Sequence, residues 1–268
     1  MPSPNPFKQA LASGQPQIGI WSTLASPLAA EMLAGSGFDW ILLDAEHSPN
    51  DVPLMLAHLQ AVEAERQHRT HPVVRPAWND QVLIKRYLDI GAQTLLIPFV
   101  QNADEARTAV SSMRYAPHGV RGMGGSVRAS RFGRDSSYVR DAHKELCLLV
   151  QVETREALSQ IEAIAAVDGV DGIFIGPADL SASMGYPGQP GHPEVRAAID
   201  DAIRRIRAAG KAPGILQVSE ERARECLALG ALFVAVALDM VLLREAADAC
   251  AARFRPGQSG GAVARSSY

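Results

Sequence analysis

Several ionisable residues in this sequence stand directly after apolar runs, where a surface charge has no obvious reason to be. "WILLDAEH" ends in Asp44, Glu46 and His47, "PVVRPAW" carries Arg75, and "LCLLVQVE" ends in Gln151 and Glu153. "GIFIGPADL" breaks after its apolar body into Gly-Pro-Ala and then Asp179. A bare carboxylate beside apolar surroundings is costly unless it is paired or bound to a cation. Each residue alone also has a structural reading. Glu153 could cap the helix that "TREALSQIEAI" predicts, a role for which Thr154 is an equal candidate. Asp179 could be a loop carboxylate, His47 a satisfied structural histidine, and Arg75 a salt-bridge partner for one of the acids. Brought to one rim, they amount instead to a chemical site of four acids, a base and a fixed cation.

Two of those acids, Glu153 and Asp179, come without histidine or thiolate companions, which suits a hard, oxygen-seeking divalent ion. Two protein ligands leave positions for water and a chelating substrate. The small residues Gly176 and Ala178 let a ligand approach the backbone and keep their N–H groups, whereas Pro177 has none to offer. The four lysines, Lys8, Lys85, Lys144 and Lys211, fall in helical patterns or ahead of strands. None is placed to form a Schiff base. Metal-assisted chemistry is therefore favoured over imine chemistry.

The elements that must position these groups are short and alternating. Eight strand-like runs begin near Gln17, Trp40, Pro72, Thr94, Leu146, Gly172, Ala212 and Leu232, and most are continuously apolar, as parallel strands buried on both faces are. Helical patterns separate them. "SPLAAEMLAGSG" has a Ser26 cap, Pro27 in the first turn and a glycine stop. Eight strand-then-helix units in about 250 residues predict an α/β fold, a single-domain (β/α)8 TIM barrel over residues 1–256. A doubly wound open sheet is the alternative, though no GxGxxG follows any strand. In a barrel, chemistry gathers at the C-terminal ends of the strands, which is where the residues above lie. The segment from Tyr115 to Asp141 is too long for a plain connector, and residues 257–268 read as a flexible tail.

Composition narrows the function classes. With 268 residues, 47% hydrophobic, the chain can bury a large core, and a net charge of −3 gives no footprint for nucleic acid. Three dispersed cysteines without a CxxC suit a reducing compartment. No export signal is visible and the most apolar run is about half the length of a membrane helix, so a cytoplasmic protein with no membrane partner is expected.

At these motifs the sequence resembles a known family. "FDWILLDAEHSPN", "QVETREA", "VDGIFIGPADLSASMGY" and "GKAPGIL" are similar to the metal-dependent class II pyruvate aldolases of the 4-hydroxy-2-oxoheptanedioate aldolase (HpcH/HpaI) family. The likeness runs from about Asn5 to Phe254 and includes the terminal Tyr268. "VVRPAWND" and "QVETREA" favour the heptanedioate aldolases over the 2-keto-3-deoxy-L-rhamnonate aldolases. The resemblance implies Mg2+, Mn2+ or Co2+ held by Glu153 and Asp179, with Gln151, Gly176, Ala178, Asp179 and Leu216 against the substrate. It implies His47 as the base, Arg75 as the group stabilising the transition state, and Asp44 beside them. It further implies that Asp89, at the end of "LIKRYLDIG", reaches His47 of a neighbouring subunit and raises its basicity. A negative charge there opposes the helix dipole and wants a reason. The expected assembly is a homo-oligomer, typically a hexamer with the last helix exchanged, and the expected substrates are a 2-ketoacid and an aldehyde.

The sequence also departs from the family. The usual Asp-Gly-Glu-His is Asp44-Ala45-Glu46-His47, Gly-Val-Asp is Ala237-Leu238-Asp239, and the long loop differs just after Arg128–Arg131. These changes bear on the acceptor more than on the chemistry. A sugar-acid aldolase, a hydroxypyruvate-using aldolase, an acyl-CoA carbon–carbon lyase, a phosphoenolpyruvate-handling barrel and a non-catalytic ketoacid binder are the rival readings.

Overall fold

The computed structural model describes residues 2–65 and 70–255; the sequence-based tail, residues 257–268, lies outside them. The strands are β1 (Gln17–Ser22), β2 (Trp40–Asp44), β3 (His71–Arg75), β4 (Thr94–Ile97), β5 (Cys147–Val152), β6 (Gly172–Ile175), β7 (Ala212–Leu216) and β8 (Phe233–Leu238). Each pairs in parallel with the next and β8 returns to β1, so the sheet closes into the expected barrel and the open-sheet alternative falls.

A short helix, α1 (Pro6–Ala12), precedes β1, and α2 (Pro27–Ala34), α3 (Val52–Ala64), α4 (Gln81–Asp89) and α5 (Ala103–Met113) follow the first four strands. The long segment before β5 carries a 3-10 turn at Arg128–Ser130 and a helix, α6 (Tyr138–Glu145). After β5 come α7 (Arg155–Ser159) and α8 (Ile161–Ala165), so the single helix expected from "TREALSQIEAI" is broken at Gln160. The remaining helices are α9 (Pro177–Ser183), α10 (Pro193–Ala208), α11 (Glu220–Ala228) and α12 (Asp239–Phe254). Side-chain caps start most of them: Ser26 accepts from the Ala29 N–H, Asp51 from Leu54, Asp80 from Leu83, and Ser219 from Arg222.

Period-two geometry decides which strand residues face the barrel interior. Ile41 and Leu43 of β2 pack outward in the layer between sheet and helices, while Trp40 and Leu42 join Val73, Leu149, Phe174 and Phe233 inside. The same phase carries Asp44 two residues beyond Leu42, Arg75 two beyond Val73, and Gln151 then Glu153 beyond Leu149. Apolar layers thus fill the barrel from below and the polar residues form its top layer. At the bottom, α1 inserts Phe7 against Trp40 and Phe233. Gly214 makes room for this layer, because a Cβ there would stand 2.1 Å from the Phe233 ring.

Asp239 fastens the first turn of α12 to the loop after β1. Its buried carboxylate accepts from Ser22 Oγ (2.8 Å), Thr23 N (2.9 Å), Thr23 Oγ1 (3.0 Å), Leu24 N (3.1 Å) and Met240 N (2.7 Å). Beyond this root the helix is thinly covered, with Leu243 60% and Phe254 80% exposed. Among the described residues no helix is long and apolar enough to cross a membrane.

His71 yields a test of the barrel floor. Its ring stacks on Phe7 at 5.5 Å and its Nε2 meets the Thr94 hydroxyl (2.8 Å), so burial pushes its pKa down to about 4. Between that value and the unfolded value near 6.5, only the unfolded chain binds the proton, so stability falls as pH falls through this window. The contribution amounts to about 2 kcal/mol between pH 7 and pH 5. Chemical denaturation at those two pH values should show a correspondingly smaller difference for His71→Gln than for the wild type. Equal pH dependence in both proteins would remove His71 from this role.

Candidate active site

Asp44 and Arg75 end neighbouring strands in direct register. Arg75 Nε donates to Asp44 Oδ1 (2.9 Å) and Nη2 to Oδ2 (2.6 Å), a two-pronged ion pair with almost no exposure. Nη1 stands 2.8 Å from Glu46 Oε2. The guanidinium lies over the Trp21 ring, 4.7 Å from its centre, and Trp21 Nε1 donates to Asp44 Oδ2 at 3.3 Å. Burial alone would raise the Asp44 pKa, but the Arg75 bonds, the Glu46 N–H and the Trp21 N–H hold it below the ordinary value. Arg75 is therefore locked from three sides, with a further N–H left on each Nη to meet a ligand.

Across the mouth the balance is reversed. Glu153, 2% exposed, receives the Gln151 amide on Oε2 (2.6 Å) and the Phe99 backbone N–H on Oε1 (2.9 Å). Even so, burial pushes its pKa up to about 7, with the charges of Asp179 and Glu46 adding to the effect. Glu46 is raised as well, chiefly by burial and further by Asp44 and Asp179, against the pull of Arg75 and His47. The helix-capping reading of Glu153 fails, because Thr154 Oγ1 takes the Ala157 N–H at 3.0 Å. Glu153 is left for another purpose.

A cavity of about 970 Å3 opens above this layer. Asp44, His47, Arg75, Gln151, Gly176, Ala178, Asp179 and Leu216 line it. Glu153 lies just under the floor beside Gly176, where a Cβ would fall 2.6 Å from its Oε2 and 2.8 Å from its Cβ. His47 is exposed, with Nε2 3.9 Å from Glu46 Oε2. Asp89 does not join this group within one chain: its carboxylate pairs with Arg121 Nη2 at 2.7 Å, which answers the unfavourable charge at the end of α4. Sequence reasoning missed Trp21, Phe174 and Thr23 on the wall, and the apolar side supplied by Met240, Val241 and Leu243 of α12. Trp21 was open to discovery, since it ends the inward phase of β1 in register with Leu42, two residues before Asp44.

The donor set fits a hard cation. The buried Glu153 and the half-buried Glu46 both feel the charge of the exposed Asp179, and Gln151 Oε1 is buried without a partner. Such crowding of negative charge and lone pairs is relieved by a divalent ion. Among the described residues no group of three or more His, Cys, Asp or Glu is arranged to hold a metal ion.

The pattern of the HpcH/HpaI aldolase/citrate lyase family matches residues 17–246. The chain belongs to this family. A protein of Klebsiella pneumoniae named 4-hydroxy-2-oxo-heptane-1,7-dioate aldolase is 59% identical over 251 residues, covering 93% of this chain and 94% of its own. A Salmonella typhi protein of the same name shows the same identity and coverage. The solved structure of an HpcH/HpaI aldolase/citrate lyase family protein from Burkholderia cenocepacia superposes with a TM-score of 0.89 at 37% identity, covering 94% of this chain and 100% of its own. The HpcH/HpaI aldolase of Desulfitobacterium hafniense gives 0.84 at 26% identity, covering 93% and 97%.

In this HpcH/HpaI barrel, removing Asp44 leaves Arg75 buried with only Glu46 to compensate it. Asp44→Ala should lower stability by about 3 kcal/mol, on the order of 6–12 °C in the unfolding midpoint. Calorimetry of the two proteins gives the comparison, and a shift under about 2 °C would contradict the account of the pair as the anchor of Arg75.

Proposed function

We propose that this enzyme is a class II, divalent-metal-dependent aldolase, a carbon–carbon lyase that cleaves or forms 4-hydroxy-2-ketoacids. Its proposed substrate is 4-hydroxy-2-oxoheptane-1,7-dioate, yielding pyruvate and succinate semialdehyde, the reading favoured by relatives of that name at 59% identity. The observation that carries the proposal is the opposition of one locked cation, Arg75, to the acid pair Glu153 and Asp179 across one cavity. The imine route lacks its residue: Lys8 and Lys211 bond the Leu146 and Val170 carbonyls near the strand starts, and Lys144 pairs with Asp141. Lys85 lies in α4 and is not on the cavity wall.

In the cleavage direction His47 takes the proton of the 4-hydroxyl, the C3–C4 bond breaks, and the aldehyde departs. The bonding pair passes into the enolate of the ketoacid, whose oxygen gains negative charge facing Arg75. A proton returned to C3 completes pyruvate. Glu153 and Asp179 would hold a Mg2+, Mn2+ or Co2+ ion, which would supply Lewis-acid polarisation of the ketoacid carbonyl. Gln151 and the backbone N–H of Ala178 orient the ketoacid, while Trp21, Leu216 and the first turns of α12 wall the acceptor side. The Gly176 N–H, expected from the sequence to help, is instead spent on the Val152 carbonyl (3.1 Å).

The proposal includes a homo-oligomer of hexameric order with α12 exchanged between subunits, in which Asp89 of one subunit meets His47 of another. The bare face of α12 supports it, as does the absence, among the described residues, of any carboxylate paired with His47 more closely than Glu46. The three cysteines are free thiols, in keeping with a reducing, cytoplasmic setting.

Cleavage of a 4-hydroxy-2-ketoacid should vanish with EDTA and return with Mn2+, Co2+ or Mg2+; full activity in EDTA sinks the metal reading. Roles within the site separate by isotope exchange. Arg75→Ala should slow both cleavage and deuterium uptake into the pyruvate methyl group by about 10²–10³-fold, since both pass through the enolate. His47→Ala should depress cleavage far more than exchange. NMR of deuterated pyruvate beside the cleavage rate decides, and near-normal exchange in Arg75→Ala would take that residue out of the mechanism. Analytical ultracentrifugation of the active enzyme tests assembly, with a fully active monomer as the contrary outcome.

A further inference from the structure

Phe99 occupies a backbone conformation that needs a reason. Its φ of +53° lies in the left-handed region, which a bulky residue enters at a cost of order 1–2 kcal/mol. The strand before it ends at Ile97, Pro98 has no N–H, and the Val100 N–H returns to the sheet by donating to the Gln151 carbonyl at 2.9 Å. Phe99 is therefore the one residue in this turn whose N–H is free to leave the ladder, and it points at Glu153 Oε1, 2.9 Å away. Burial of the ring does not explain the conformation. Phe99 is 39% exposed and stacks on Trp78, itself 53% exposed, with ring centres 5.6 Å apart and an interplanar angle of 28°.

We propose that Phe99 is a positioning residue: its left-handed backbone, braced on the rim by Trp78, aims the N–H that holds Glu153 in the orientation a divalent cation requires. With the Gln151 amide on Oε2, the Phe99 N–H on Oε1 fixes both oxygens of a carboxylate that burial and its neighbours would otherwise disfavour. The aromatic side chain adds what glycine lacks. Glycine adopts the same φ freely and gives up only this brace, a smaller loss than a side chain that opposes the turn without the ring to hold it. The loop after β3, which carries Trp78, and the loop after β4 thereby share the task of setting a residue of β5's end.

This inference rests on the metal reading of Glu153, and the experiment keeps the two apart. Binding of Mn2+ alone to the full-length protein is measured by electron paramagnetic resonance, with circular dichroism as a check on folding. Wild-type protein should bind and Glu153→Gln should lose most of its affinity; equal binding by both overturns the metal reading and the inference with it. Phe99→Gly, at ease with positive φ, should stay within about threefold of wild type. Phe99→Val, whose β-branch is excluded from that region, should weaken Mn2+ binding by about 10–100-fold. Should the valine variant not fold, Phe99→Ala takes its place: it pays the same left-handed cost as phenylalanine but loses the brace on Trp78, with an expected loss of about three- to tenfold. Wild-type affinity in the left-handed-averse variants, or a glycine variant as weak as they are, overturns the role assigned to Phe99 while leaving the metal site standing.

Discussion

The ion pair between Asp44 and Arg75 is the constraint from which the rest of the mouth takes its shape. Both residues end strands in the inward phase, in direct register, so the sheet itself sets their separation. Two charges at that depth have lost most of their hydration and are tolerable only as a well-made pair. Such a pair adds little net stability compared with apolar residues, but it leaves one orientation for each partner. Trp21 closes the remaining freedom by sitting under the guanidinium and bonding the same carboxylate. The pair also sets the course of the chain through Glu46 to the exposed His47, since the Asp44 carboxylate accepts from the Glu46 N–H at 3.0 Å.

A fixed cation on one wall gives meaning to the acids on the other. The pKa of Glu153 is raised by burial and by the charges of Asp179 and of Glu46, which itself stands beside Arg75, and an enzyme without a use for such an acid has no cause to maintain it. The resulting field runs from Arg75 toward the acid side, across a space walled by small residues and aromatic rings. A ketoacid offers a carboxylate and a carbonyl to such a space, and the charge that develops on its enol oxygen lies between the two poles. Geometry of this kind is prepared before the substrate arrives.

Much of this was legible in the sequence because strand periodicity is simple. Once Trp40, Val73 and Leu149 are read as interior, the phase delivers Asp44, Arg75, Gln151 and Glu153 to the same layer. The barrel followed from eight alternating units, and capping residues marked the helix starts. The features that escaped notice depended on long-range partners. Thr154 and Glu153 were equal candidates for a cap until the Ala157 bond chose between them. The charge of Asp89 looked unexplained because Arg121, held over the ring of Tyr115 at 4.5 Å, arrives from a segment whose course has no local signature. The break at Gln160 is likewise set by packing, whereas α1 carried a local signature that was passed over, Asn5 capping the Lys8 N–H and Pro6 in the first turn.

The hydrogen bonds that Asp239 accepts from Ser22, Thr23 and Leu24 tie the root of α12 to the loop carrying Thr23, which is part of the cavity wall. Everything past that root projects from a hinge that has been nailed shut. Side chains beyond Ala247, the last of the helix to line the cavity, can thus answer to whatever surface they meet without altering the chamber. The chain has separated the part of itself that must be kept from the part that is open to renegotiation.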